Sequence, residues 1–174
     1  EILSGLVGSE MCIRDRILTA NQAAELYKES EIVVVESKTV GECYAALSLA
    51  DLSGDTDTVK QQIDLISGES LTAYVSTAIR DTDAGGVTVR RGDYIGFARG
   101  EVLCDFKSRK DAAIELVERL HADMYGLLII FVGADANEQE AEEIAKAITA
   151  KYKYLEVVVR DGGQPIYDYM LVFE

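Results

Sequence analysis

The chain has 174 residues, 48% of them hydrophobic and 28% charged, and a formal net charge of −14. This length suits one domain or two small subdomains with a true core, and neither disorder nor a membrane span is indicated, since the longest apolar run, residues 127–132, is far too short to cross a bilayer. The acidity argues against nucleic acid and anionic lipid as partners, because both require a cationic face.

The chain opens on Glu1 rather than Met, as a fragment would. Residues 1–16 show neither a helical nor a strand period, and the run Leu-Val-Gly-Ser-Glu-Met-Cys-Ile-Arg-Asp-Arg is similar to translated adapter sequence. This segment is therefore set aside from fold reasoning as non-native or artefactual, the alternative being a genuine irregular segment. From Ile17 the signals become regular. Thr19 is placed to cap a helix running to Lys28, with Ala23, Ala24, Leu26 and Tyr27 available for packing. Residues 31–36 read as a Val-rich strand. Residues 41–51 read as a small-residue helix with Ala45, Ala46 and Leu49 on one side. Asp55 or Thr56 caps a third helix, in which Val59, Ile63 and Ile66 share a face, and Gly68 ends it.

The texture then changes. Residues 71–79 form a strand, Asp83-Ala84-Gly85-Gly86 a turn, residues 87–90 a short strand, and residues 93–99 and 101–105 two strands joined around Gly100. Ser108, with Asp111 three positions on, opens a helix to His121 whose Ala113, Leu116, Val117 and Leu120 form one stripe. Residues 127–132 are continuously apolar, as in a strand covered on both faces. Asn137 and Glu140 open the next helix, with Ala141, Ile144, Ala145 and Ile148 inward. A strand at 155–159, a turn at Asp161-Gly162-Gly163 and a closing strand at 169–173 follow. The fold class is α/β, with a first subdomain over 17–69 and a second over 70–174.

Chemistry is sparse along this chain. The three cysteines, Cys12, Cys43 and Cys104, form no C-x-x-C pair, and His121 is the single histidine, so no structural zinc site is expected. His121 ends an amphipathic helix, where it complements the dipole, and no serine or cysteine has a base beside it in sequence. Neither a G-x-x-x-x-G-K-[ST] loop nor a G-x-G-x-x-G turn occurs. Arg91-Gly92-Asp93 reads as a coincidence, and Asp81, Asp83 and Asp93 read as a solvated acidic turn rather than a cation loop. With reduced thiols and no secretion signal at its start, the chain is expected in the cytoplasm.

Three blocks carry a family resemblance. The first is Ile17-Leu-Thr-Ala-Asn-Gln-Ala-Ala-Glu-Leu26 with Val-Val-Val-Glu-Ser-Lys-Thr up to Thr39. The second is Ala78-Ile-Arg-Asp-Thr82 with Gly92-Asp-Tyr-Ile-Gly96. The third is Gly162-Gly-Gln-Pro-Ile-Tyr-Asp-Tyr169 with the final strand. Together they resemble the C-terminal domain of the large, ATP-using subunit of bacterial fatty acid kinase, a relative of dihydroxyacetone kinases.

The resemblance implies two subdomains of mixed sheet with packed helices and a DegV-like fold. The first subdomain is expected to be truncated, because a family member has a further strand-helix-strand unit before Ile17. It implies a two-component enzyme that makes acyl-phosphate for phospholipid synthesis. ATP, magnesium and the catalytic residues would belong to other domains, so this fragment is expected to hold no cofactor and no catalytic residue. Its implied partner is a DegV-family fatty-acid carrier, met by an acidic surface; the alternative is a free-standing DegV-type fatty-acid binding protein. Loops at strand ends are exposed and rigidly held. Asp81, Asp83, Asp161 and Asp168 are accordingly the expected partner-binding residues.

Overall fold

The computed structural model describes residues 15–51 and 53–174. The chain divides into two units, Glu1–Ser70 and Leu71–Glu174.

In the first unit, helix α1 covers residues 15–26. Thr19 does not cap it. Its hydroxyl donates to the Asp15 carbonyl at 2.8 Å, one turn back, which places Thr19 inside the helix. Asp15 and Arg16 therefore belong to α1, and the rest of the segment set aside, residues 1–14, lies outside the described residues. Ile17, Ala20, Asn21 and Ala24 form the half-buried stripe of α1, whereas Leu26 and Tyr27, expected to pack, are exposed. Helix α2 is Val40–Leu49, capped by the Thr39 hydroxyl, which accepts the Glu42 N–H at 3.1 Å. Ala45 and Ala46 are buried as expected, and the Leu49 side chain lies outside the described part.

Helix α3 is Thr56–Glu69, with Asp55 as its cap, accepting the Thr58 N–H at 3.0 Å. Gly68 is inside α3 rather than ending it; the helix stops at Ser70, whose ψ of 144° is already extended. Residues 31–36 are not a strand. The run has β-branched composition, but a strand exists only through a hydrogen-bonded neighbour, and none pairs with it among the described residues.

The second unit is built on a six-stranded sheet in the order β5-β4-β1-β8-β6-β7. Its strands are β1 (Leu71–Thr77), β4 (Tyr94–Ala98), β5 (Glu101–Phe106), β6 (Leu127–Val132), β7 (Glu156–Asp161) and β8 (Tyr167–Phe173). A hairpin of β2 (Thr82–Ala84) and β3 (Val87–Val89) stands apart as a two-stranded sheet. Only β6 and β7 pair in parallel, joined by helix α5 (Glu138–Lys151); every other pair is antiparallel.

Helix α4 (Arg109–Arg119) lies on β1, β4 and β5, and α5 lies beside it on β6 and β7. Leu116 and Val117 of α4 and Ile144 and Ile148 of α5 meet Val75, Leu128, Ile130, Tyr169, Leu171 and Phe173 of the sheet in a closed core. Each such side chain stabilises the fold by about 1.5–3 kcal/mol relative to exposure. Exposed bridges from Lys110 to Glu143 and from Lys151 to Glu118 join α4 to α5, which adds little at such solvent access.

Candidate functional site

The C-terminal ends of β1, β6 and β7 share one edge of the sheet with the starts of β4 and β8 and with the N-termini of α4 and α5. Both helices begin where the sequence places them. Ser108 accepts the Asp111 N–H at 3.3 Å, and Asn137 accepts the Gln139 N–H at 2.7 Å. Glu140 does not return to complete a capping box. Its carboxylate lies 3.1 Å from Arg109 Nε and accepts the Tyr169 hydroxyl at 2.6 Å.

Arg109, the first residue of α4, is the hub of a largely buried polar cluster. One guanidinium nitrogen donates to Asp168 Oδ1 and to the Asp135 carbonyl, both at 2.8 Å, and the guanidinium stands 5.4 Å from the centre of the Tyr94 ring. Asp168 is only 7% exposed. Its place is set by an irregularity in the ladder: Val75 opposes Tyr169 and Ser76 opposes Tyr167, so Asp168 is the extra residue of a β-bulge. The bulge breaks the strand alternation and brings the carboxylate to Arg109, with Thr77 Oγ1 at 3.5 Å from the second oxygen. Burial raises the Asp168 carboxyl above the ordinary carboxylate value, an effect that Arg109 opposes without cancelling.

The expected partner-binding residues therefore divide. Asp81 and Asp83 are exposed around the β2–β3 hairpin, where Asp81 accepts the Arg91 N–H at 2.7 Å and Asp83 the Thr88 hydroxyl at 2.9 Å. Asp161 is exposed at the end of β7. Asp168 differs from them in being buried and paired with Arg109. Arg109, Glu140, Tyr94 and Tyr169 were missed from the sequence. The spacing of Asn137 and Glu140 was the one signal, but it pointed to a cap rather than to a contact with another helix.

The loop at 162–166 is bound to the same edge. The Val132 carbonyl accepts the Gly162 and Gly163 N–H groups, and the Gln164 amide donates to the Phe131 carbonyl at 3.1 Å. Gly163 has φ 58, a left-handed conformation open to glycine; at Gly162 a Cβ would press on Phe131 Cβ and displace the end of the Gln164 side chain. At Gly133 a Cβ would overlap the Tyr167 carbonyl oxygen, so only glycine lets β6 leave the sheet beside β8.

Two further titratable groups of the second unit are shifted upward. Burial, reinforced by Glu140, raises the Tyr169 hydroxyl far from neutrality. The buried Cys104 thiol, on β5, is pushed up to about 11 by desolvation, far from the thiolate a nucleophile needs. Among the described residues no group of His, Cys, Asp and Glu converges as a metal site. A cavity of ≈ 360 Å³ between β3 and β5 is lined by Thr88, Arg90, Asp93, Asp105, Phe106 and Lys107, two cations against two carboxylates. Among the described residues no helix is long and apolar enough to cross a membrane.

Comparison with known proteins bears on the fold and the family. Two similar curated proteins are YloV of Bacillus subtilis (strain 168), 29% identical over 160 residues, and SAR1202 of Staphylococcus aureus (strain MRSA252), 26% identical over 158 residues. Each alignment covers 91% of this chain but only 28% and 29% of the relative, so the chain spans under a third of their length. Among solved structures, a DegV-family protein from Thermus thermophilus described for its fatty-acid binding superposes with a TM-score of 0.60 at 11% identity. It aligns over 91% of this chain and 66% of its own. DegV of Bacillus subtilis, described as a fatty acid binding protein, gives 0.58 at 14% identity over 90% of this chain and 65% of its own. The fold is thus DegV-like. The family of FakA-like fatty acid kinase C-terminal domains matches residues 14–174, and the chain belongs to that family.

Proposed function

We propose that this chain is a non-catalytic module that docks a fatty-acid-carrying protein of the DegV family, so that other domains of the same kinase subunit can phosphorylate the acyl carboxylate. The observation that carries this reading is the state of the sheet edge: its convergent polar groups, Arg109, Asp168, Glu140 and Tyr169, contact one another, while Asp81, Asp83 and Asp161 face solvent. A surface of that kind recognises by charge and shape, and the net charge of −14 suits a basic partner. Family membership supports the kinase context, since the match is to a C-terminal region and the sequence has no phosphate loop. ATP and magnesium belong, on this reading, to a domain outside this chain.

The test is titration calorimetry of the chain against acyl-loaded Bacillus subtilis DegV. Binding is expected, weakening as salt rises from about 0.1 to 1 M. A variant with Asn at Asp81, Asp83 and Asp161 is expected to lose affinity and most of its salt dependence. No binding by the parent at any salt would remove the docking reading. Incubation with ATP, magnesium and fatty acid should yield no acyl-phosphate above a blank.

The likeness to fatty-acid-binding DegV proteins favours a second reading, in which the chain itself holds an acyl group. Lipid extraction and mass spectrometry of the purified chain separate the two: stoichiometric fatty acid supports acyl binding, and none supports docking.

A further inference from the structure

Ile166 combines a strained backbone with an exposed apolar side chain. The Pro165 carbonyl accepts the Tyr167 N–H at 2.9 Å, closing a turn around Ile166 at φ 77. A γ-turn of positive φ is the rarer and strained form, and a β-branched residue there is an outlier. The turn is held from both sides. Ser76 Oγ of β1 donates to the Ile166 carbonyl at 2.8 Å. The Gln164 amide donates to the Tyr167 carbonyl at 3.3 Å, and the Gln164 carbonyl accepts the Ala134 N–H at 3.0 Å. Surroundings that over-determine a strained residue are a reason to look for what it presents.

What it presents is apolar and in solvent. Ile166 is 76% exposed, so its side chain contributes little burial to the fold. Ile79, beyond the end of neighbouring β1, is 77% exposed, and the pairing of Ser76 with Tyr167 places both isoleucines at the same end of adjacent strands. Asp161, ahead of the turn, and Asp135, in the loop after β6, are exposed at this end and form no ion pair among the described residues.

We propose that Ile166, with Ile79 beside it, is the apolar anchor of the docking surface, and that its occupant is a partner protein offering an apolar socket bordered by lysine or arginine. This rests on the docking reading above. Side chains exposed in this way suit insertion into a concave partner rather than enclosure of a small ligand. A second copy of this chain is disfavoured by the repulsion between two chains of net charge −14. A pre-formed anchor loses little conformational freedom on binding, and a few such residues carry most of an interface's affinity.

Ile166→Gly separates this role from a structural one. Glycine occupies φ 77 without strain, so the variant should unfold at the same or a higher denaturant midpoint. Its affinity for acyl-loaded Bacillus subtilis DegV should nevertheless fall by about tenfold or more. Ile166→Asn, which tolerates this φ but is polar, should behave alike. If the parent binds and both variants bind within about twofold of it, the anchor is wrong and the docking reading stands. If the parent does not bind, both fall. A variant that binds weakly but has also lost stability would show a structural role for Ile166 and overturn the anchor.

Discussion

Helices α3 and α5 are both 14 residues long, both are capped by an Asx side chain, and both space their branched aliphatics along one face. In α5, Ala141, Ile144, Ala145 and Ile148 are all buried; in α3 no residue is. The same contrast separates the two apolar runs. Residues 127–132 are a strand between two others, whereas residues 31–36 have no ladder among the described residues, and Ile32 and Val33 are exposed. Periodicity decides which side of an element is apolar. Whether a surface stands opposite to receive that side is a property of the tertiary structure. The second unit supplies one for every major element. Among the described residues the first unit buries only Ala45 and Ala46 of its hydrophobic side chains, while Leu18, Leu26, Leu47 and Leu65 are exposed.

The strongest way to break the second unit is to remove the centre of its polar cluster. Arg109→Met leaves Asp168 buried without its cation, and losing one partner of a buried pair costs about 3–5 kcal/mol. The pH dependence has a defined sign. Because burial raises the Asp168 carboxyl, the native state takes up its proton more readily than the unfolded chain does. The stability from this group is fully present below the unfolded value near 3.9 and is lost as pH rises through the native value. Arg109 opposes that shift, so without it the window extends upward, and the deficit of the variant should shrink as pH falls from 7 toward 4. Urea midpoints of parent and variant across that range are the measurement; a deficit that grows on acidification would contradict it.

Two leucine truncations compare the units directly. Leu116→Ala, at a site 0% exposed, should cost about 2–5 kcal/mol, because it leaves a cavity between α4 and the sheet. Leu65→Ala, at a site 70% exposed on α3, should stay within about 0.5 kcal/mol. Comparable losses from both would show that the first unit holds a core as tight as the second.

Much of the second unit was legible because local and tertiary signals agree there. Ser108 and Asn137 cap the helices they precede, and the run Leu-Leu-Ile-Ile-Phe-Val is an interior strand. The first unit misled where a local signal had no partner: Thr19 looks like a cap but bonds backwards, and residues 31–36 have strand composition without a strand. In the candidate site, Asp161 lies in the exposed position expected of it, but Asp168 does not. Tyr-Asp-Tyr in a closing strand gives no warning of a bulge, and the arginine it meets is 59 residues away in sequence. The order of the strands, with β8 between β1 and β6, was equally beyond local reading.

Gly163→Val probes the reversal after β7, where the sequence places a turn and the backbone is left-handed. At φ 58 a β-branched residue is strained by about 1–3 kcal/mol, and no side-chain contact offsets it, since nothing lies within 4 Å of where the Cβ would stand. Equal denaturation midpoints for parent and variant would contradict this.

The smallest expected effect is the most direct test of the comparison. Ile32→Thr together with Val33→Thr removes apolar surface from a run that is exposed at both positions, so stability should change by about 0.5 kcal/mol or less. A null result alone would be weak, and amide exchange supplies the positive half. Amides at 128–132 are held in ladders on both sides of β6 and should exchange only through global unfolding. Amides at 32–36 have no ladder partner among the described residues and should exchange nearly as fast as an unstructured peptide. Mass spectrometry of peptic fragments after deuterium labelling reads both segments in one experiment. Slow exchange at 32–36, matching that of β6, would mean that the Val-rich run has found a neighbouring strand, and the contrast between the units would then lie in their side-chain packing alone.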